Sequence, residues 1–184
     1  VQKRIVSNDD GNETTIATSL TAFGSDGFTL GGNDTVNGSD TYASWNWKAG
    51  TAISGATVGL GTLKTYTGSV NTTAGFSVIK YTGNGTAGHQ FPHGLGVAPK
   101  MIMVKNTASG STGWYCYHKD IGAENVIYLN STSGSSSAST VWNNSAPNSN
   151  SMPLGTNTGV NDNDTAHIAY CFAEKTGYSK FGSY

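Results

Sequence analysis

An internal repeat is the feature that most restricts how this chain of 184 residues can fold. The stretch LGGNDTVNGSDT begins at Leu30 and the stretch LGTNTGVNDNDT begins at Leu154, so the two copies lie 124 residues apart. Leu, Gly, Asn, Val, Asn, Asp and Thr recur in register between them. Such repetition indicates that the two copies adopt the same local structure.

The repeat extends in both directions from this stretch. Upstream, the same spacing aligns three apolar pairs: Ile5 with Leu129, Ala22 with Ala146, and Phe28 with Met152. Downstream, after one inserted residue, two aromatic pairs align: Trp45 with Tyr170, and Trp47 with Phe172. We therefore predict that each copy ends in an aromatic strand and that the paired residues superpose.

The chain divides into three predicted parts. Residues 1–50 are a half-repeat of β structure, residues 51–73 are a Gly- and Thr-rich linker with short strands, and residues 74–184 are a full repeat. Because the first residue is Val rather than Met, we expect the chain to be a processed or truncated product. Residues 1–50 correspond only to the second half of a repeat. Some of their strand edges are therefore left without predicted partners.

The pattern of apolar residues predicts an all-β fold. The run GFSVIKYT alternates in polarity, and as a strand PKMIMVKN would put Met101, Met103 and Lys105 on one face and Ile102 and Val104 on the other. Clusters of Gly, Asn and Ser separate these runs and the similar run GWYCYHK. No segment shows a helical period with caps, so we expect no helix longer than about two turns. About seven strands at this spacing are typical of an antiparallel β-sandwich or a jelly-roll-like module.

The charge of the chain excludes several classes of partner. Only 11% of the residues are charged, and the net charge is −1 at pH 7. No basic stripe offers a surface for nucleic acid, and no apolar run reaches the length that membrane insertion needs. Little repulsion would oppose the close packing of many copies.

Two acidic, Asn-rich loops are candidate calcium sites. They occupy matching positions in the repeat and offer these oxygen ligands: Asp34, Asn37 and Asp40 in the first, and Asn161, Asp162 and Asp164 in the second. Neither loop has the order of acidic residues found in an EF-hand. Since Asn, Asp and Gly are also the residues that tight turns prefer, we interpret both loops as turns.

Other candidate sites have a simpler structural interpretation. The stretch GNGTAG at 83–88 matches a nucleotide-binding pattern, but HQFPHGLGVAP follows it where a helix should stand. His89, His93, Cys116 and His118 could bind zinc, although their spacing matches no known zinc motif. Asp120 could orient His118, yet a charged strand end explains both residues. We therefore assign no catalytic, cofactor-binding or metal-ligating residue and no cofactor.

The two cysteines and the aromatic residues are expected to serve the core. Cys116 and Cys171 lie in strand-like segments, so we predict buried thiols rather than a disulfide. Aromatic residues must supply much of the core because Leu is scarce, but about half of each alternating pair faces outward. The candidates for an exposed, sugar-stacking surface are Trp45, Trp47, Trp114, Tyr115, Tyr117, Trp142, Tyr170 and Phe172.

Several motifs resemble a domain that is repeated in structural and tail-fibre-like proteins of tailed phages, especially marine phages. They are HGLGVAPKMIMVKN, WYCYHKDIG, VWNNSAPNS and the terminal IAYCFAEKTGYSKFGSY, all within residues 74–184. The stretches SDGFTLG and YASWNWKAG resemble the second half of a preceding copy. The resemblance implies a virion component and implies no catalytic residue.

We therefore expect a non-enzymatic virion structural protein, a tail-fibre or surface decoration component outside the cell that can bind a host glycan or receptor. It would associate with itself or with other virion proteins, mainly through residues 1–73, because strand addition at an open edge needs no special side chains. The alternative is a carbohydrate-binding or adhesin module of a cell surface. A glycan-cleaving enzyme would require two carboxylates across a groove at about 5–10 Å.

Overall fold

The structure, a computed structural model, describes residues 2–183, so Val1 and Tyr184 of the predicted domains lie outside it. It consists of short strands and two one-turn helices. The first part of the chain contains β1 (Lys3–Arg4), β2 (Thr14–Thr15), β3 (Leu20–Phe23), β4 (Phe28–Leu30), α1 (Asp34–Asn37), β5 (Thr51–Ala56), β6 (Val58–Gly59) and β7 (Thr65–Asn71). The remainder contains β8 (Phe76–Thr82), β9 (His89–Pro92), β10 (Met101–Asn106), β11 (Tyr115–His118), β12 (Asn125–Tyr128), β13 (Ser136–Ser137), β14 (Ser151–Leu154), α2 (Thr158–Asn161) and β15 (Ala166–Phe172).

The predicted all-β antiparallel fold is confirmed. The main layer is an eight-stranded antiparallel sheet in the order β13-β12-β11-β10-β15-β8-β7-β5. In its central strand β15, burial alternates along the chain: His167, Ala169 and Cys171 are buried, and the residues between them are half-buried. This alternation follows from the two-residue period of a strand, which sends successive side chains to opposite faces.

The second layer covers one face of the main sheet, which we call the inner face. It is a three-stranded sheet in the order β14-β9-β6. Tyr81 of the main sheet stacks on Phe91 of β9 with the ring centroids 4.5 Å apart. Met152 and Leu154 of β14 are fully buried in the same core. The molecule is therefore an asymmetric β-sandwich of eight and three strands.

Residues 51–73, which the sequence suggested as a linker with short strands, contribute to the main sheet. They contain β5, β6 and β7, and β7 pairs with both β5 and β8. The small residues of this segment made its sequence look like a linker, but in the structure they allow the strands to approach closely. Gly68 lies so close to β8 that an added Cβ would stand 2.5 Å from the Val78 carbonyl oxygen. A Gly- and Thr-rich composition therefore reflects close strand packing here. The division of the chain into domains remains a prediction.

The internal repeat is present in the structure. We call residues 2–38 the first element and residues 124–162 the second element. The same local hydrogen bonds occur in both elements. The matched bonds are Ile16 N to Gln2 O and Ala138 N to Glu124 O, both 2.8 Å; Asn33 N to Thr18 O at 3.0 Å and Asn157 N to Thr140 O at 2.9 Å; Gly31 N to Ser19 O at 2.7 Å and Gly155 N to Val141 O at 2.8 Å. In both elements an Asn caps a one-turn helix, Asn33 for α1 and Asn157 for α2.

A close backbone approach explains the glycine that follows the repeated leucine. An added Cβ would stand 2.4 Å from the Thr18 carbonyl oxygen at Gly31, and 2.1 Å from the Thr140 carbonyl oxygen at Gly155. Real Cβ atoms do not approach oxygen so closely, so only glycine fits either position. The Leu-Gly pair is therefore a local structural requirement of the repeat.

The predicted alignment of the two copies needs two corrections. Upstream of the repeated Leu-Gly pair, residues that make equivalent hydrogen bonds in the two copies lie 122 positions apart rather than 124, because the second element has a longer loop before β14. Downstream, Trp45 and Trp47 lie outside any strand, whereas Tyr170 and Phe172 lie in the central strand β15. The expected equivalence of these aromatic residues is therefore wrong, while that of Leu30 and Leu154 is supported by their surroundings.

The two cysteines are buried free thiols, as predicted. Cys116 of β11 is paired with Met103 of β10, and Cys171 of β15 is paired with the adjacent Ile102. Adjacent residues of a strand face opposite sides of the sheet, so the two sulfurs lie on different faces. Burial raises the pKa of Cys116 to about 11 and that of Cys171 to about 12, which keeps both thiols protonated at neutral pH.

Within residues 2–183, no helix is long and apolar enough to cross a membrane.

Candidate functional site

The face of the main sheet opposite the inner core, which we call the outer face, carries apolar and aromatic side chains. Pairing across β10, β15 and β8 places them in two rows: Met103, Tyr170 and Val78 in one, and Met101, Phe172 and Phe76 in the other. All of them except Phe76 are only half-buried. A second layer covers the inner face completely at this position, so the outer face is the open apolar surface of the sheet.

Trp47 lies across this surface. Its ring stacks on Phe76 with a centroid distance of 6.0 Å, and it meets Phe172 edge-on at 5.9 Å. It remains 52% exposed. Grooves of about 320 and 520 Å³ lie beside it and share the side chains of Trp47, Phe76, Met103 and Phe172. Apolar and aromatic side chains of this kind are the ones that predominate in the lining of small-molecule pockets.

The first element closes one end of this outer face. The indole Nε1 of Trp114 donates a hydrogen bond to the Val6 carbonyl oxygen at 2.9 Å, and Glu13 N donates to Thr107 O at 2.9 Å. Lys105 is fully buried, and its Nζ donates to three carbonyl oxygens, including that of Asp10 at 3.3 Å. Burial lowers the pKa of Lys105, and the nearby acidic side chains of Asp10 and Asp9 oppose this shift.

A second aromatic surface lies at the tip of the β3–β4 hairpin. Phe23 and Phe28 face each other across the hairpin and are 70% and 38% exposed. Trp45 is 78% exposed and lines an open groove of about 820 Å³ with them and with Asp26. Exposed aromatic rings offer large, flat apolar faces to anything that contacts this groove.

The two candidate calcium loops differ in what their side chains contact. In the second loop, Asn161 points into the core, while the carboxylate of Asp164 accepts from Lys64 Nζ at 2.5 Å. Asp162 accepts from the hydroxyl of Thr165 at 3.1 Å. The three oxygen ligands therefore serve different partners instead of converging, which agrees with the turn interpretation. Lys64 also lowers the pKa of the Asp164 carboxyl.

The first loop is arranged in the same way around α1. Asn37 Nδ2 donates to the Gly31 carbonyl oxygen at 2.9 Å, as Asn161 Nδ2 does to Gly155 at 2.7 Å. The Tyr42 hydroxyl donates to the backbone oxygen of Asp34 at 2.6 Å. In both loops the Asn side chain therefore has a structural role, because it donates a hydrogen bond to the glycine that follows the repeated leucine.

Asn161 organises a buried polar cluster that sequence reasoning missed. Its Oδ1 accepts from Asn84 N and from His89 Nδ1, both at 2.9 Å, and its Nδ2 donates to the Thr86 and Gly155 carbonyl oxygens at 3.0 and 2.7 Å. Since Oδ1 can only accept, the hydrogen of the neutral His89 imidazole lies on Nδ1. Its Nε2 is buried and has no hydrogen-bond partner among the described residues. The signal in the sequence was the repeated Val-Asn pair, which marks α1 and α2.

The stretch GNGTAG forms the turn between β8 and β9. Gly85 and Gly88 have φ values of 69° and 86°, which glycine adopts without strain. Asn84 Nδ2 donates to the carbonyl oxygens of Leu60 and Thr62 at 2.9 and 3.0 Å. A strand follows instead of a helix, so the backbone here does not form the strand-helix unit of a dinucleotide site.

The candidate zinc residues lie in two separate layers. His89 begins the strand β9 beneath the inner face and His93 directly follows that strand, and both are fully buried, whereas Cys116 and His118 lie on the outer face of β11. The main sheet therefore separates the two pairs. Asp120 makes its ion pair with Lys119 at 2.9 Å, and only its backbone N–H reaches the His118 imidazole, at 3.3 Å. The geometry thus supports the interpretation of a charged strand end.

Comparison with known proteins gives one match. A family model described as a domain of unknown function, DUF7483, matches residues 1–184. No curated protein and no solved structure matches the chain. The match covers both elements of the internal repeat and the whole β-sandwich, and the chain therefore belongs to the DUF7483 family.

Proposed function

We propose that this chain is a non-enzymatic structural component of a virion, in a tail fibre or another surface appendage. It associates with copies of itself or with other virion proteins through open strand edges. The exposed aromatic rings around Trp45 and Trp47 face the host. The resemblance of the motifs in residues 74–184 to repeated phage domains supports this role, and the strand β5 supports it physically.

The observation that carries the proposal is the open edge of the main sheet. β5 pairs with β7 along six residues, and no described strand lies on its other side. Its sequence, TAISGA, contains no charge and no proline, and five of its six residues are exposed. Soluble proteins commonly protect such an edge with Lys, Pro or a bulge. An unprotected edge of this length favours the addition of a strand from another chain.

A lysine at this edge is expected to weaken self-association. We expect Ser54→Lys to raise the dissociation constant by about tenfold or more, because a charge at the edge would have to be desolvated when a second strand pairs with it. Thr67→Lys is the matched control, since Thr67 is paired with Ser54 and is exposed, but lies on the interior strand β7. Sedimentation velocity over a concentration series measures both. Equal association of the two variants, or a wild-type chain that is monomeric at every concentration, would contradict the edge model.

The virion role is tested on particles. Antibodies against the purified chain should label a regular position on the surface of purified phage particles from the source of this sequence, as seen by electron microscopy. Mass spectrometry of the same particles should find the chain in a fixed stoichiometry with the other virion proteins. Detection of the chain only in the lysate of infected cells, and never on particles, would disprove the role.

Carbohydrate binding is the second candidate function, because Trp45 and Trp47 are both more than half exposed. A sugar ring stacked on Trp45 would lose its platform in Trp45→Ala, and we expect about a tenfold loss of affinity, equivalent to about 1.4 kcal/mol. Trp45→Tyr keeps an aromatic ring and should retain most of the binding. A glycan array followed by calorimetry with the best ligand checks this expectation. Unchanged binding by Trp45→Ala would exclude Trp45 as the platform.

A further inference from the structure

The open edge of β5 carries a regular row of backbone groups with which no described strand pairs. One residue beyond β5, Thr57 N donates to the Lys64 carbonyl oxygen at 2.7 Å, and this pair continues the register of β5 and β7. In an antiparallel pair, only alternate residues exchange hydrogen bonds with the neighbouring strand. The odd-numbered residues of β5 therefore bond to β7. The even-numbered residues direct their N–H and C=O groups to the open edge, and they are Ala52, Ser54 and Ala56.

The sequence of β5 is suited to pairing with an identical strand. Its register with β7 runs through the whole strand without a bulge, so the free groups lie in one row. Near a twofold axis each residue faces its own copy, and a charged residue there would repel itself. β5 contains no charged residue, and the nearest ones along the chain are Lys48 and Lys64. The edge is therefore compatible with a second copy of itself.

Among the edge strands within residues 2–183, only β5 can match this edge along its whole length. The others have between 2 and 4 residues, whereas β5 has 6. The longest of the others within the sandwich is β14, which is fully buried and contains Pro153. Proline has no backbone N–H, so it cannot donate to an added strand. The best-matched strand in a second copy is thus β5 itself.

We propose that β5 pairs antiparallel with β5 of a second copy, around a twofold axis that passes between Ser54 and the partner's Ser54. In this register Ala52 faces the partner's Ala56, and Ala56 faces the partner's Ala52. All the free N–H and C=O groups of β5 then form hydrogen bonds, and the two main sheets become one continuous sheet. Such an interface is closed, so it produces a dimer rather than an open array. The inference rests on the open-edge association of the proposed function, to which it adds the partner, the symmetry and the register.

The side chains of the inner face fit the same register. Ile53 packs half-buried against the core, and it would face the partner's Gly55 with the Cα atoms about 4.5 Å apart. Gly55 has no side chain, and a Cβ added to it would stand 3.2 Å from Cε1 of Tyr66. The isoleucine therefore meets an open space beside an aromatic ring. On the outer face only alanine and serine side chains meet, and these are small enough to avoid a clash.

Neighbouring registers use the edge less completely. A shift of one residue turns the bonding groups of one strand away from those of the other. A shift of two residues restores the bonding pattern, but it places either Ala56 or Ala52 beyond the end of the partner strand. The register centred on Ser54 is thus the one in which every free group of β5 has a partner within β5 of the second copy.

Cysteine cross-linking of the full chain tests this register. Facing Cα atoms of hydrogen-bonded pairs lie about 5.5 Å apart, which a disulfide can span. Ser54→Cys should therefore give a disulfide-linked dimer under mild oxidation, and so should the double variant Ala52→Cys/Ala56→Cys. Each single variant, Ala52→Cys or Ala56→Cys, should give at least about tenfold less, because each cysteine then lies about 13 Å from its own copy. Non-reducing gels measure the yield, and mass spectrometry locates the link in the tryptic peptide of residues 49–64.

The matched control is Thr67→Cys, an exposed position on the interior strand β7 that reports links from chance encounters. The native Cys116 and Cys171 are buried and do not compete. Sedimentation velocity of the reduced variants checks that they associate as the wild type does. Strong links in Ser54→Cys and in the double variant, with weak links in the single variants and in Thr67→Cys, support the inference.

The other outcomes separate this inference from the proposed function. If the chain associates and Ser54→Lys weakens the association, but Ser54→Cys links no better than Thr67→Cys, the twofold pairing is overturned and the open-edge model stands. Equal links in the single and double variants overturn the register in the same way. A chain that stays monomeric overturns both. Links in the expected pattern support the dimer even if the chain is absent from phage particles.

Discussion

Replacement of Asn161 by alanine is expected to lower the free energy of unfolding by about 4 kcal/mol. The side chain serves four buried or partly buried groups: Asn84 N, His89 Nδ1, Thr86 O and Gly155 O. Alanine leaves all four without this partner, and an unsatisfied buried polar group costs about 1–3 kcal/mol. The costs are not additive, because the freed groups rearrange together and water can enter the space.

The repeat supplies a matched control for this substitution. Asn37 is the equivalent residue of the first element, is exposed, and makes one bond to the Gly31 carbonyl oxygen. We expect Asn37→Ala to lower the free energy of unfolding by less than about 1 kcal/mol. Urea denaturation of both variants measures the difference directly. If both variants lose a similar amount of free energy of unfolding, burial is not what makes the hydrogen bonds of Asn161 stabilising.

Acidification is expected to have the other large effect on stability. Burial lowers the pKa values of His89, His93 and His167, because it disfavours the charged imidazolium. In the unfolded chain these side chains bind protons near pH 6.5, whereas in the folded chain they bind them only at lower pH. Between those two pKa values the unfolded state holds more protons, so stability falls as the pH falls.

In this window, each of these histidines can lower the free energy of unfolding by up to about 1.4 kcal/mol per pH unit. The three together can lower it by up to about 4 kcal/mol per pH unit. Two bonds moderate the effect at His167, whose ring nitrogens face the carbonyl oxygens of Thr165 and Thr158 at 3.0 and 3.3 Å. These bonds favour the protonated form, but desolvation has the larger influence on the pKa. The loss is complete once the pH lies below the folded pKa values.

Urea midpoints at about pH 7.5, 6 and 5 test this expectation, with a steady decrease from the first to the last. The window separates histidines from carboxylates. The pKa of Asp164 is lowered from 3.8, so its contribution to stability is lost only below that pH. A midpoint that stays constant down to pH 5 would contradict this expectation. It would mean that hydrogen bonds to the three imidazoles offset the cost of burying their charged forms.

Much of the fold could be predicted from local sequence patterns. The alternation in segments such as PKMIMVKN assigned Ile102 and Val104 to one face and Met101 and Met103 to the other, and the pairing agrees. The same reasoning placed Cys116 in a strand as a buried thiol. These predictions succeed because a strand has a fixed two-residue period, whatever lies beside it.

Other features were hidden from local patterns. The stretch around Trp47 looks like the strand around Phe172, but it lies outside the sheet and packs against Phe172 itself. Residues 51–73 looked like a linker because small residues fill positions where strands approach closely. The cluster of Asn161 and His89 joins residues that are 72 positions apart, and no spacing in the sequence indicates such a contact.

The sequence by itself determined the local form of the repeated element. Leu-Gly, the capping Asn and the Val-Asn pair produce the same turn, the same one-turn helix and the same return bond in both copies, because these bonds join residues within about one short motif. Only the tertiary structure decided which copy becomes core. Val160 and Asn161 are buried because residues 76–119 lie against them, whereas Val36 and Asn37 have no such neighbour among the described residues. Burial depends on contacts between distant parts of the chain, and so two nearly identical stretches can differ in stability and in what they are free to bind.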